Sequence, residues 1–242
     1  MLKRISANVL SWSEIHGAAR NEAYPWNSYL IPVPHQDVLV LVDPLPLSPD
    51  EIQEVEAIGA PTHILLTNNY HLRESAAFRQ RWGCEIWLHE SGLEDAEVRI
   101  DKQLQDRDVL WEMIEVIHIP DMSFADEVSF LVKGEGGTLI VGDALCGGRK
   151  DRGVPDGSLW INHPEYFLDL QAARMGLRKL GQYSFERLCF AHGSPITHAA
   201  SELFAEVIEN DDIWTKLKVE QGERASLHSR EFLKYRAANR SL

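Results

Sequence analysis

The sequence predicts an α/β chain folded as a four-layer αβ/βα sandwich. Hairpin signals and βαβ signals recur in both halves. Several short strands are continuously apolar, as strands covered on both faces are, and amphipathic helical stretches stand between them. With 242 residues, 44% of them apolar and 25% charged, the chain can bury a full core. No repeat or linker interrupts it. Residues 1–242 therefore read as one domain with a helical C-terminal extension over about 201–242.

Each element has its own signal. Tyr29 to Val33 and Val38 to Val42 are β-rich runs flanking a Pro34–Asp37 turn, a hairpin that ends at Asp43-Pro44. Ser48-Pro-Asp50 opens a helix, with proline and acidic residues in its first turn. A βαβ unit follows: a buried strand from His63 to Thr67, helical spacing from Leu72 to Trp82 stopped by Gly83, and a strand from Glu85 to Leu88. Residues 91–108 are polar and read as a loop. Met113 to Pro120, Val128 to Val132 and Thr138 to Val141 read as strands, the last closed by Gly142-Asp143. After a glycine-rich loop from Gly147 to Gly157, Pro164 to Leu180 has the periodicity of an amphipathic helix. Leu188 to Ala191 is the last strand and delivers His192. From about Ser201 the chain reads as helix, with a basic end at Arg224, Arg230, Lys234, Arg236 and Arg240.

Charge and composition exclude several classes of partner. Asp and Glu number 37 against 24 Lys and Arg, a net charge of -13. Such a surface repels nucleic acid and anionic membrane. No stretch approaches the roughly 20 apolar residues of a membrane span, and Met1 to Trp12 lacks the apolar run of a signal peptide. Cys84, Cys146 and Cys189 form no Cys-x-x-Cys pair, so the expected setting is cytoplasmic and reduced. No nucleophile elbow, phosphate loop or dinucleotide fingerprint is present.

Landmarks at strand ends carry a family resemblance across residues 27–195. The hairpin ending in Asp43-Pro44, Leu65-Leu-Thr67, Val141-Gly-Asp-Ala144 and Ala191-His-Gly193 occur in the order of the metallo-β-lactamase-like superfamily. Leu-Thr-Asn-x-x-His-x-Arg resembles a divergent branch of it labelled hydrolase. The resemblance implies the sandwich fold and a cleft at the strands' carboxyl ends. It also implies a metal-dependent hydrolase ancestry.

This chain departs from the ligand pattern. Where the family has His-x-His-x-Asp-His, the ligand positions hold Asn68, Tyr70, Leu72 and Arg73, and Met122 stands at its central histidine. Only Asp143 and His192 keep ligand-type side chains, and two ligands hold a catalytic divalent ion poorly. No tight dinuclear metal site is expected, although a single weakly bound divalent ion is compatible with the sequence. Asp143, His192 and His71 are the candidate catalytic residues; Asn68, Tyr70, Arg73 and Met122 are candidates for lining the cleft. His71 is a candidate replacement ligand, yet it falls between two ligand positions, and the reading favoured for it is a histidine that braces the following helix. Arg73 replaces a neutral ligand by a permanent cation, so a direct Arg73–Asp143 ion pair is expected to compensate the lost metal. His118 and His163 could approach from neighbouring loops, and Trp26, Trp160 and Tyr166 could line a pocket. Two functions follow. One is a hydrolase acting on an ester, thioester, amide or phosphoester. The other is a non-catalytic member that binds a small molecule or a protein.

Overall fold

A computed structural model describes residues 1–16 and 24–228. Arg230, Lys234, Arg236 and Arg240 lie outside them, as does the side chain of Arg224. The first sheet contains β1 (Lys3–Ser6), β2 (Val9–His16), β3 (Tyr24–Val33) and β4 (Val38–Val42), an antiparallel meander. After α1 (Pro49–Ile58) it continues parallel through β5 (His63–Leu65). Past α2 (Ser75–Trp82) come β6 (Glu85–His89) and β7 (Lys102–Leu104). The second sheet begins antiparallel with β8 (Val109–Leu110), β9 (Ile114–His118), β10 (Val128–Val132) and β11 (Thr138–Val141). A small β12 (Leu145–Cys146) and β13 (Trp160–Ile161) ribbon and α3 (Leu170–Leu180) precede β14 (Arg187–Phe190), which lies parallel to β11. Helices α4 (Ala200–Glu209) and α5 (Asp211–His228) close the described chain.

Apolar side chains gather in three clusters, one for each boundary in a stack of four layers. On β4 the period of two sends Val40 and Val42 inward, where they meet Tyr29, Leu65, Val116, Phe130 and Ile140 between the sheets. Leu39 and Leu41 point the other way and pack, with Ile64 and Ile86, under Val55 of α1 and Phe78 of α2. The outer face of the second sheet, with Leu139, Val141 and Leu188, is covered by Ala173, Leu177 and Leu180 of α3 and by Phe204 and Trp214 from α4 and α5. Both sheets are thus covered twice, which is why their strands read as unbroken apolar runs. Among the described residues no helix is long and apolar enough to cross a membrane.

The two sheets are stitched together at one end. Asn27 N–H donates to Ala191 O (2.9 Å), its Nδ2 donates to Phe190 O (2.9 Å) and Gly193 O (2.7 Å), and Tyr29 Oη donates to Phe190 O (2.6 Å). A second seam runs from Val128 N–H to Thr67 O (2.8 Å). Between these seams lie the carboxyl ends of β4, β5, β11 and β14.

Some element boundaries differ from those read in the sequence. The stretch from Leu72 to Trp82 is helical only from Ser75, because Asn69–His71 forms a separate 3-10 turn capped by Asn68. Pro164–Tyr166 is likewise a 3-10 turn, and α3 starts at Leu170 under the Asp169 cap. The polar residues 91–108 contain β7, which extends the first sheet.

Candidate active site

Apart from Glu127, which precedes β10, the polar groups of the site leave a strand's carboxyl end or the turn just after it. Asp43 follows β4, Thr67 and Asn68 follow β5, Asp143 follows β11 and His192 follows β14. Asp43 (φ 48°) and Arg73 (φ 42°) both adopt the left-handed backbone region that glycine tolerates best. Holding a side chain there costs on the order of 1 kcal/mol, a strain that the surrounding contacts sustain.

The 3-10 turn aims His71 back into the sheet ends. Its Nδ1 lies 3.0 Å from Asp43 Oδ2 and 2.8 Å from Thr67 Oγ1, and its Nε2 lies 3.6 Å from Asp143 Oδ1. Thr67 donates from N (2.8 Å) and Oγ1 (2.6 Å) to the Asp43 carboxylate, which fixes that acceptor. His192 Nε2 approaches the same Asp143 Oδ1 at 3.0 Å. An alternating chain therefore runs Asp43, His71, Asp143, His192, with all four side chains buried or nearly so.

Burial alone would depress the His71 imidazole, but the Asp43 and Asp143 carboxylates outweigh it and hold the group up at about 9. Burial pushes Asp143 upward, yet His71 and His192 hold its carboxyl well below the usual range. His192 is lowered by burial. Asn68 Nδ2 donates to Glu127 Oε2 (2.8 Å) and lies 3.4 Å from Asp143 Oδ2. Glu127 is fully buried, and desolvation together with the nearby Asp143 charge raises its carboxyl well above the ordinary value.

The structure thus brings Asp143, His192, His71 and Asn68 together, with Arg73 alongside. Tyr70 and Met122 stand elsewhere. The Tyr70 ring is 57% exposed and packs on Phe124 at 4.4 Å. Met122 is fully buried in the outer cluster of the second sheet, bridged to Phe167. His118 stacks on His89 at 4.1 Å, and His163 packs edge-on against Trp160. Trp26 and Tyr24 both pack edge-on against His192, at 5.4 and 5.9 Å. Asp43 ends a buried strand in an Asp-Pro, a visible signal that sequence reasoning used as a landmark and not as a site residue. Glu127 was missed entirely, although Asp126-Glu127 directly before the apolar run from Val128 is unusual for a strand entry.

The expected Arg73–Asp143 ion pair requires correction. Arg73 Nη1 donates to the backbone oxygens of Asn27 (2.7 Å) and Asp43 (2.8 Å), and its guanidinium lies 5.4 Å from the Trp26 ring. Asp143 takes His192, His71 and Asn68 as partners. The reason is geometric: the 3-10 turn moves His71 into the space expected for the guanidinium, and the imidazole compensates Asp143 in its place.

One divalent ion suits this donor set. The ligand atoms of His71, Asp143 and His192 lie within 4.8 Å of one another. Ligands about 2.0–2.2 Å from a tetrahedral zinc are roughly 3.3–3.5 Å apart. The His192–Asp143 and His71–Asp143 separations of 3.0 and 3.6 Å lie on either side of that spacing, and the two imidazoles are within 4.8 Å of each other. The Asp43–His71 contact is the outer hydrogen bond that orients metal-binding imidazoles. A second ion does not suit the residues present, since Tyr70 faces outward, Leu72 packs with apolar neighbours, Met122 is in the core and Arg73 is a cation.

The chain is similar to known proteins in sequence family and in fold. A family model described as the metallo-beta-lactamase superfamily matches residues 2–209. No curated protein matches the chain by sequence. A flavo di-iron protein mutant from Thermotoga maritima superposes with a TM-score of 0.63 at 15% identity, covering 86% of this chain and 62% of that one. The present chain thus spans about three fifths of that protein's length. Rubredoxin oxygen:oxidoreductase from Desulfovibrio gigas gives 0.61 at 12% identity, covering 86% and 62%. The class B3 di-zinc metallo-beta-lactamase LRA-12 from an Alaskan soil metagenome gives 0.59 at 15% identity, covering 90% and 93%. At such identities these likenesses show the fold alone.

Proposed function

The chain belongs to the metallo-beta-lactamase superfamily, and on that premise we propose that it is a hydrolase whose centre is the His71–Asp143–His192 cluster, built for one divalent ion and not two. The observation that carries this reading is the replacement ligand. His71 stands outside the family's ligand positions, yet the 3-10 turn delivers its Nε2 to Asp143 while Asp43 holds its Nδ1. A helix-bracing histidine would not need a buried carboxylate at each nitrogen. His71, Asp143 and His192 would hold the ion, which supplies Lewis acidity toward a carbonyl or phosphoryl oxygen.

The remaining groups position and insulate. Asp43 and Thr67 fix the His71 ring. Asn68 donates to Glu127 and stands beside Asp143, one amide serving both carboxyls. Tyr24 and Trp26 flank His192 and limit water. The substrate class is an ester, thioester, amide or phosphoester. Three buried thiols suit a reducing cytoplasmic setting.

A second reading, a non-catalytic small-molecule binder, is favoured by one observation: the side chains of His71, Asp143 and His192 are only 6, 7 and 12% exposed. Calorimetric titration with Zn²⁺, Mn²⁺ and Fe²⁺, with elemental analysis and a panel of activated esters and phosphodiesters, separates the two. The hydrolase reading expects one ion per chain, affinity reduced at least tenfold in His71→Ala and His192→Ala, and turnover that follows ion content. Two tightly held ions would contradict the single-ion centre. Absence of both ion binding and turnover would leave the binder.

A further inference from the structure

A cavity of about 250 Å³ adjoins the cluster, lined by Glu14, Ile15, Trp26, Leu45, Arg73 and Glu74 among others. Trp26 connects the two places, with its ring 5.4 Å from the His192 ring and 5.4 Å from the Arg73 guanidinium. Arg73 itself is incompletely used. Only Nη1 donates, to Asn27 O, Asp43 O and, at 3.5 Å, Ser28 Oγ, while the buried Nε and Nη2 have no hydrogen-bond partner. Each orphaned donor costs on the order of 1–3 kcal/mol, more on a charged group, and such a site calls for an explanation.

Nε and Nη2 are the parallel edge of a guanidinium, the pair that grips both oxygens of a carboxylate. Two other arginines of this molecule use that edge in this way. Arg149 donates from Nε (3.2 Å) and Nη2 (2.6 Å) to the two oxygens of Asp151, and Arg178 donates from the same two nitrogens to Glu209. On Arg73, whose side chain lines the cavity, the equivalent edge is buried and has no hydrogen-bond partner.

We propose that this cavity is a carboxylate subsite, taking a small organic monocarboxylate whose two oxygens meet Arg73 Nε and Nη2 and whose apolar body lies on Trp26, Ile15 and Leu45. The two nitrogens have no exposed surface, so docking needs a side-chain adjustment of the kind common on binding. Glu14 and Glu74 also line the cavity and oppose any anion held by Arg73, a dianion such as phosphate more strongly than a monocarboxylate.

The test is calorimetry and ligand-observed NMR on the full chain with benzoate, benzamide and inorganic phosphate. Benzoate is expected to bind once per chain and at least tenfold more tightly than benzamide, with phosphate not competing. Arg73→Lys, which keeps the charge and loses the fork, should weaken benzoate at least tenfold. Because Arg73 also braces two carbonyls, Ile15→Asp provides a variant at an exposed position, also expected to weaken benzoate at least tenfold. Glu14→Gln should tighten it. Equal affinity for benzoate and benzamide, no benzoate binding at 10 mM (about 2.7 kcal/mol), or unchanged affinity in Ile15→Asp would overturn the proposal. So would a benzoate-soaked crystal with only water on Nε and Nη2. None of this depends on an ion in the cluster: benzoate affinity should be the same with chelator present, a condition under which the hydrolase centre is silent.

Discussion

Asp126 shows how a single buried carboxyl couples this site to pH. It follows the loop from Met122, accepts a hydrogen bond from Asn69 N–H (2.6 Å) and steadies the 3-10 turn that carries His71. Gly92 allows it to lie this close, since a Cβ there would come within 2.3 Å of Asp126 Oδ2. Burial raises its carboxyl to about 6, the Asn69 hydrogen bond offsetting only part of that effect. The native protein therefore keeps a proton, between about pH 4 and 6, that the unfolded chain has released. The contribution of Asp126 to stability is full below pH 4 and is lost as pH rises through 6. Asp126→Asn retains an acceptor for Asn69 without the ionisation. It should be equal in stability to the parent near pH 4 and about 1–2 kcal/mol more stable above pH 7. Urea unfolding at both pH values checks this, and a gain at pH 4 with none at pH 7 would refute the assigned sign.

At the scale of elements, local chemistry that the sequence displays openly does what it signals. The Ser48-Pro-Asp50 opening does start α1, and Ser48 with Glu51 closes it in a capping box. Asp169 is a comparable cap, accepting from Gln171 N–H (2.8 Å) and Ala172 N–H (3.0 Å), and it starts the helix that carries Ala173, Leu177 and Leu180 into the outer cluster. Asp169→Ala should cost about 1 kcal/mol, and Asp169→Ser much less. The measurement is a lowered urea midpoint with unchanged m-value.

The central strands were legible for the same reason: β4, β10 and β11 are covered on both faces, and unbroken apolar runs follow. Edge elements were not. β1 and β7 are short and partly exposed, so their apolar period is weak. The 3-10 turn at Asn69–His71 was hidden because helical spacing from Leu72 onward masks a break three residues later. The Arg73 expectation rested on its standing at a ligand position, and the 3-10 turn instead presents His71 to Asp143. That Asp143 and His192 would face one cleft was legible from their strand-end positions, though not that they would pair. Glu127 was not, because its role arises only when β10 is laid beside β5.

For the whole molecule, the decisive feature is that the site sits on the seam between two sheets. Asn27, on β3, holds that seam with its backbone N–H and both hydrogens of its amide, to Ala191, Phe190 and Gly193, while Ser13 Oγ donates to its Oδ1 (2.7 Å). These backbone groups bracket His192, so the bonds joining the sheets are also those that place a candidate ligand. Asn27→Asp changes one atom's chemistry and reverses this: a carboxylate oxygen would replace the Nδ2 donor and face two carbonyl oxygens in a buried space. The loss should be about 3–5 kcal/mol at pH 7, a sizeable share of a domain's usual 5–15 kcal/mol. The introduced carboxyl would have a raised pKa in the folded protein, because only its protonated form can donate to Phe190 O or Gly193 O. Stability conferred by that proton is present at low pH and lost as pH rises, so the deficit should be smaller at pH 5 than at pH 8. Asn27→Ala lacks the ionisation and should show a deficit with no such slope. If the seam also positions the cluster, both variants should lose divalent-ion affinity along with stability, whereas Asp169→Ala, equally destabilised by added urea, should retain it. Retention of full ion affinity in folded Asn27→Ala would show that the seam holds the sheets but not the site.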